Sequence, residues 1–540
     1  MSLEVNKYDF IIIGAGSSGA TIANRLSENL NISVLLIEAG KKEHLFAQMP
    51  MSFGLFINKP GVNWRYSSEA EAGTFNRNIP IPRGKMTGGS SSINGMVYVR
   101  GQSLDYDTWA QHGNKGWGWQ EVSKIFKKIE NYKNSETGYR GNNGLLGISE
   151  VKDENLLYDA LIRSAQSLGY PLNKDYNGPN QEGIARIQAT ISNGRRMSTD
   201  YCYLRPALKR PNLTLITRAT TEKLIIDNKV CKGIIYKKNN KLHKVYCNNE
   251  VILSAGAIAS PQILELSGIG NEDILNKYEI QVKHNLPAVG EHFQDHFMAR
   301  LQWKLKLKKA SYNYLGRGIN KYNEIAKYIL RKKGLFSMPA ASIIAFLKTQ
   351  NYLESPDIQI QYIPFSVGSL KKRIFHDFPG MAAACYQLRP NSMGSIHICS
   401  PDPYKHPSIK FNFLSHDLDK RVLIDAVKIM RNIVEAKPMD LIRDFEHSPG
   451  ASVSTDDEIE QYIRETAETG FHPSGTCRMG PGSNSVVNDE LKIHGLNGIR
   501  VADASIFPTI PSGNTNAACI MVGEKVSELI KESINRGGMK

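Results

Sequence analysis

The sequence predicts an α/β protein of two domains. The first is discontinuous and built around a parallel sheet; the second is an inserted α+β unit with an antiparallel sheet. Three observations carry this. The chain opens on an apolar run, "YDFIIIGAGSSG", that ends in glycines. Further β-rich runs, "NLTLITRATTEKLIID" with "VCKGIIYKK" and "NEVILSAGAIASPQIL", return far downstream, and "GIRVADASIFP" lies near the C-terminus. Between about residues 300 and 460 stand other β-prone stretches, "PDIQIQYIPF" and "GSIHICS". At 540 residues the chain exceeds the usual size of one domain.

The opening run reads as a buried parallel strand, because it is continuously apolar and stops at a turn. "ATIANRLSEN" follows with helical periodicity, and "SVLLIEAG" is a second buried strand ending in Glu38. Gly14, Gly16 and Gly19 therefore form G-x-G-x-x-G between a strand and a helix. The first glycine allows the tight turn, the second lets backbone approach a pyrophosphate, and the third lets helix and strand pack closely. The helix start offers free N–H groups and a partial positive charge to phosphate. Glu38 comes nineteen residues after Gly19, where a carboxylate can accept ribose hydroxyls. Glycine turns also occur for packing alone, but strand, turn, helix and acid agree here on a Rossmann-like dinucleotide site.

That fingerprint serves FAD and NAD alike. "GIRVADAS" runs into Asp503, and a loop then leads into a helix. An acid at such a strand end can bind ribityl hydroxyls, which favours a flavin; its other reading is a helix-capping acid. The expected division is residues 1–155, 210–300 and 465–540 for the FAD-binding domain, and 156–209 and 301–464 for the substrate-binding domain.

Composition narrows the function classes. Hydrophobic residues at 41% and charged residues at 22% suit a soluble globular protein. No apolar run is long enough to span a bilayer, and the N-terminal stretch lacks the basic n-region of a signal peptide, so a cytoplasmic location is expected. The net charge of +15 is spread over clusters such as "KKIENYK", "KLKLKK", "RKKG" and "LKKR". No nucleic-acid module accompanies them; solvated surface or peripheral contact with an anionic (inner) membrane is the reading. Seven cysteines lie apart with no C-x-x-C pair, which disfavours zinc sites and a disulfide framework.

"GFHPSGTCRMG" sets His472 five residues before Cys477. Neither has further ligands at metal spacing, so a zinc site is not expected. A thiol nucleophile partnered by histidine, a structural histidine, or a base for other chemistry stay open on these residues alone.

Three stretches resemble the glucose–methanol–choline oxidoreductase family, most nearly its choline-dehydrogenase-like bacterial members. They are "PRGKMTGGSSSINGMVYVRG", "GAIASPQILELSGIG", and "FHPSGTCRMG" with "IPSGNTNAACIMVGE". Thr87 departs from the apolar residue usual in the first, and "LPAVGEHFQDH" and "LRPNSMGSIHICSPDP" extend the likeness. The resemblance implies that Gly88, Asn94, Gly95, Met96 and Val97 line the flavin. It adds Ser18, Thr221, Ala504 and Thr515 to the cofactor contacts, with Thr221 meeting adenine through its backbone. Ile93 occupies the place of the histidine to which some members attach flavin, so the FAD should be non-covalent.

The resemblance also implies roles at the C-terminal end. His472 is the catalytic base that takes the alcohol proton, while hydride passes to flavin N5. Asn514 hydrogen-bonds the substrate oxygen, with Asn516 its local rival. The expected activity is FAD-dependent oxidation of an alcohol, with electrons passed to a quinone or another acceptor. An oxidase using oxygen, a catalytically silent flavoprotein and a flavin photoenzyme are the alternatives. Trp64 is either pocket wall or packing.

Overall fold

A computed structural model of the chain describes residues 7–134, 138–151, 153–369 and 374–537. The basic run "LKKR" (residues 370–373) lies outside them.

The first sheet has seven strands. Its parallel part runs Leu213–Thr217, Val34–Glu38, Lys7–Ile13 and Lys241–Leu253. Lys241–Leu253 then changes partners along its length. Its first half pairs antiparallel with Val230–Lys238, which pairs with Ala219–Asp227, and its last residues pair parallel with Ile499–Val501. Three distant pieces of chain thus meet in one sheet. The apolar runs Phe10–Ile13 and Val34–Ile37 lie inside one core, with Phe10, Ile11, Ile12, Leu35 and Leu36 fully buried. The helices Ser17–Leu26 and Asn516–Asn535 pack beside each other on that sheet, and Arg25 pairs with the fully buried Glu524 between them.

The second sheet is antiparallel, in the order Arg443–Ser448, Phe297–Leu305, Gly380–Gln387, Ile358–Ile363, Ile343–Leu347 and Gly183–Arg186, with Glu468–Thr469 added against Phe297. "PDIQIQYIPF" supplies a central strand of this sheet, whereas "GSIHICS" forms a separate two-stranded ribbon, Ser395–His397 with Ser408–Lys410. The helix Asp417–Glu435 buries Val422, Ala426, Val427, Met430 and Ile433 in the same core as the sheet. This apolar core is distinct from that of the first sheet. The fold class is the expected one: α/β, with a Rossmann-like sheet and an antiparallel sheet. Among the described residues, no helix is long and apolar enough to cross a membrane.

Candidate active site

A crevice opens at the C-terminal ends of the parallel strands, the place where such sheets bind ligands. Gly14, Gly16, Ser18, Glu38, Thr221, Gly256, Asp503 and Ala504 line it. The glycine turn is built as its spacing requires. A Cβ on Gly14 would lie 2.5 Å from the Ser254 carbonyl oxygen, and one on Gly19 would collide with the Gly14 carbonyl. A Cβ on Gly16 meets nothing, because that position faces open crevice. The helix that follows has no side-chain cap and no acid in its first turn, so its N–H groups stay available to an anion. Ser18 lines the crevice, although its hydroxyl is spent on the Cys519 carbonyl at 2.7 Å.

Glu38 is held by the backbone N–H groups of Ala15 (2.9 Å) and Gly40 (2.7 Å). Burial pushes its pKa up to about 7, against those bonds and nearby Lys85. Thr221 sits at a β-bulge, and its buried hydroxyl oxygen has no partner among the described residues. Asp503 does cap: it accepts from Gly256 N, Ser260 Oγ and Ser505 N, at 2.6 to 2.8 Å. Ala504 begins the short turn beyond it, and Thr515 stands at the start of the Asn516–Asn535 helix without a capping bond.

The glycine- and serine-rich loop lies directly on the glycine turn. Gly88 N donates to Ala15 O at 2.7 Å, and a Cβ on Gly89 would lie 2.7 Å from Gly16 Cα. Thr87 tolerates its buried place because its hydroxyl accepts from Glu43 N. Asn94 is clamped by the fully buried Arg196, which donates to both its side-chain and backbone oxygens at 2.7 Å. Gly95 O accepts from Ala340 N, Met96 takes a positive φ of 66°, and Val97 bridges to Ala189. Ile93 packs toward Ala47, Phe56, Val62 and Met86. Trp64 lines the crevice, but its ring face is covered by the Lys85 ammonium, 4.1 Å from the centroid.

His472 and Asn514 meet. Asn514 Nδ2 lies 3.0 Å from His472 Nε2, and Asn514 Oδ1 accepts from Gln359 and Gln361 at 3.3 and 3.4 Å. Asn516 is directed elsewhere, accepting from Ser17 Oγ at 2.7 Å. Behind His472 lies His296, Nδ1 to Nδ1 at 2.9 Å, and His296 Nε2 is 3.0 Å from the Leu388 carbonyl. A carbonyl only accepts, so His296 carries its proton on Nε2 and, when neutral, presents a lone pair at Nδ1. His472 must then donate from Nδ1, which leaves the lone pair of Nε2 facing the Asn514 amide. One backbone carbonyl fixes two tautomers.

Charge agrees with this assignment. Burial, then His296 and Arg83, hold His472 well below the ordinary histidine pKa, and burial lowers His296 to about 4. Both rings are neutral near pH 7. Asp295 accepts from His472 N at 2.9 Å and from Thr469 Oγ1 at 2.5 Å, and burial raises it to about 7. Arg83 donates to the carbonyl of Phe471, whose φ of 66° turns the chain into His472. Cys477 is buried with its thiol pKa well raised, and no metal-holding group of His, Cys, Asp or Glu occurs among the described residues.

Sequence reasoning missed Arg83, Asp295, His296, Gln359 and Gln361. Arg83 lies inside the "PRGK" signature, and Asp295 and His296 inside "HFQDH", where a polar run amid apolar neighbours was the available signal. Gln359 and Gln361 had none beyond the strand alternation of "IQIQYI".

A Rossmann-like sheet, a dinucleotide crevice along its strand ends and a neutral histidine next in the chain to Pro473 of its lining define the class: a dinucleotide-dependent oxidoreductase. The GMC oxidoreductase family models match residues 8–298 and 390–523, and the chain belongs to that family. It is 39% identical to an oxygen-dependent choline dehydrogenase of Photobacterium profundum, over 97% of this chain and 93% of that one. It is 38% identical to the oxygen-dependent choline dehydrogenase of Escherichia coli K12, over 97% and 96%. Among solved structures it is similar to pyridoxine 4-oxidase from Mesorbium loti, at 26% identity and a TM-score of 0.88, covering 97% of this chain and 99% of that one. An FAD-dependent oxidoreductase from Chaetomium thermophilum matches at 26% identity and a TM-score of 0.90, covering 98% and 100%. The protein is an FAD-dependent oxidoreductase acting on CH–OH donors. Its crevice fits FAD: the bare Gly16 and the uncapped helix start face ligand space, and Thr221 lines it.

Proposed function

We propose that this protein oxidises an alcohol to an aldehyde or ketone, with His472 as base, and passes the electrons to a quinone-like acceptor. The observation that carries the reading is the Leu388–His296–His472–Asn514 chain, which leaves one unprotonated ring nitrogen beside one amide donor. A hydroxyl placed against both gives its proton to His472 Nε2. Asn514 Nδ2 then donates to the substrate oxygen as negative charge develops there. His296 positions the base and touches no substrate. Glu38, Thr221, Asp503 and the loop from Gly88 to Val97 hold the cofactor, together with Ser18, Ala504 and Thr515 through their backbones. Bound FAD, non-covalent because Ile93 offers no nucleophile, supplies the acceptor for the hydrogen and electron pair leaving the alcohol carbon.

The surroundings of the base support an uncharged alcohol over choline, which names the bacterial relatives. Gln359, Gln361 and Tyr386 gather about Asn514 and His472, the cation Arg83 acts on the ring, and the nearby acid Asp295 is raised to about 7 and occupied by His472 N and Thr469 Oγ1. The test is anaerobic bleaching of the flavin with choline, aliphatic alcohols, aromatic alcohols and hydroxy acids. Faster bleaching by choline than by every neutral alcohol removes the neutral reading, and no bleaching by any alcohol removes the alcohol reading.

The names of the relatives support a second acceptor, oxygen. Following the bleached enzyme in air and with a quinone analogue separates the two: rapid stoichiometric peroxide, faster than quinone reduction, makes it an oxidase.

A further inference from the structure

The helix Gly318–Arg331 is inside out. Among its side chains, the buried one is the acid Glu324, which accepts from Leu335 N at 2.7 Å and pairs with Lys327 at 2.6 Å. Its apolar residues point to solvent: Ile319 is 73% exposed, Tyr322 68%, Ile329 64% and Leu330 80%. With Ala326 they fall at positions i, i+3, i+7, i+10 and i+11, which is one face of a helix. Soluble monomers rarely leave such a contiguous apolar stripe open unless something covers it.

Charge identifies what covers it. Lys321 and Arg331 stand exposed on the helix's other faces, Lys327 pairs with Glu324, Lys332 and Lys333 follow the helix, and it carries no exposed acid. A second copy docking isologously here would bring the same net-positive helix against itself. An apolar stripe on a helix whose polar faces and following residues are basic matches a bilayer surface bearing anionic headgroups. The helix is also far too short to span one.

We propose that the Gly318–Arg331 helix is an interfacial anchor that docks the enzyme on anionic membranes, its apolar stripe lying among the acyl chains. The chain beyond it runs through the turn Leu335–Ser337 to Ala340, whose N–H donates to Gly95 in the cofactor loop at 3.2 Å. Docking therefore brings the cofactor-loop side of the molecule to the bilayer. That consequence, though not the docking, rests on the cofactor assignment above, and it suits an acceptor dissolved in the membrane.

The experiment is co-sedimentation of the FAD-loaded enzyme with vesicles of equal parts phosphatidylglycerol and phosphatidylcholine, and with phosphatidylcholine alone. Wild-type protein sediments with the anionic vesicles and roughly tenfold less with neutral ones or at high salt. The double variant Ile329→Glu, Leu330→Glu stays in solution, with flavin content, melting and reduction by a soluble alcohol unchanged, because both positions are exposed. Failure of wild-type protein to bind anionic vesicles overturns the proposal, as does equal binding by the double variant. Analytical ultracentrifugation covers the remaining case: a dimer that the double variant breaks, with no lipid binding, gives the face to a second copy and overturns it too. None of these outcomes depends on which alcohol is oxidised, so the anchor and the activity fail separately.

Discussion

The two ends of the crevice are made by different means. The end at Gly14 to Glu38 is one continuous stretch whose working parts are backbone N–H groups, a turn and one carboxylate. The end at His472 is assembled from Arg83, Asp295, His296, Leu388 and Asn514, brought together from remote segments. The first offers a ligand many small contacts, none of which moves a proton. The second presents a single lone pair whose position depends on several supports. Substitutions at the first end should therefore cost occupancy, and those at the second should cost rate with the flavin still bound.

The largest effect tests the second half of that contrast. His472→Ala should retain FAD, while its anaerobic flavin-reduction rate falls by roughly two to four orders of magnitude, the usual worth of a positioned acid–base group. Cys477→Ser is the control, since the thiol is buried and bonded away from the base, and it should reduce its flavin normally. Inactive Cys477→Ser beside fast His472→Ala would reverse the assignment. Asn514→Ala comes next, with a loss of about 10²- to 10³-fold, the cost of removing one donor from a developing oxyanion. If Asn516→Ala proved the slower of the two asparagine variants, the contact seen between Asn514 and His472 would have misled.

The same contrast explains how much was legible in the sequence. The glycine spacing, the strands on either side and Glu38 are local patterns, and each is found where its periodicity put it. "GSIHICS" was equally β-prone, yet it forms a ribbon apart from the main sheet, because pairing partners are chosen by the tertiary fold. Asp503 was readable as flavin ligand or cap, and its three hydrogen bonds show the capping side of that choice directly. His296 could not be read as the partner of His472 from a separation of 176 residues. Its role exists only where the Phe297–Leu305 strand and the His472 loop are paired through Phe297 and Thr469.

Glu38→Ala tests the first end. Its Oε2 braces the glycine turn at Ala15 N and its Oε1 braces Gly40 N beyond its own strand, while the residue lines the crevice, so the variant should be isolated largely as apoprotein, read from the ratio of flavin to protein absorbance. Any Glu38→Ala that does hold FAD should reduce it at close to the wild-type rate. Full occupancy would remove Glu38 from the site; full occupancy with a slow rate would break the division between the two ends.

The smallest effect is the most specific, because it separates orienting the base from being the base. His472 accepts a proton only when neutral, and burial, His296 and Arg83 all disfavour its charged form. Its flavin-reduction rate should therefore rise with pH through one ionisation centred below about 6.5, the ordinary histidine value, and stay level above neutrality. His296→Leu removes the acceptor for His472 Nδ1–H, so the ring gains by carrying its proton on Nε2, where the substrate needs a lone pair. Reduction should slow by roughly ten- to a hundredfold across the level part of the profile, the scale on which orienting groups act. His296→Asn returns an oxygen close to the lost Nδ1 and should restore most of the rate. A role in packing alone predicts the opposite order, since leucine fills that buried space better than asparagine.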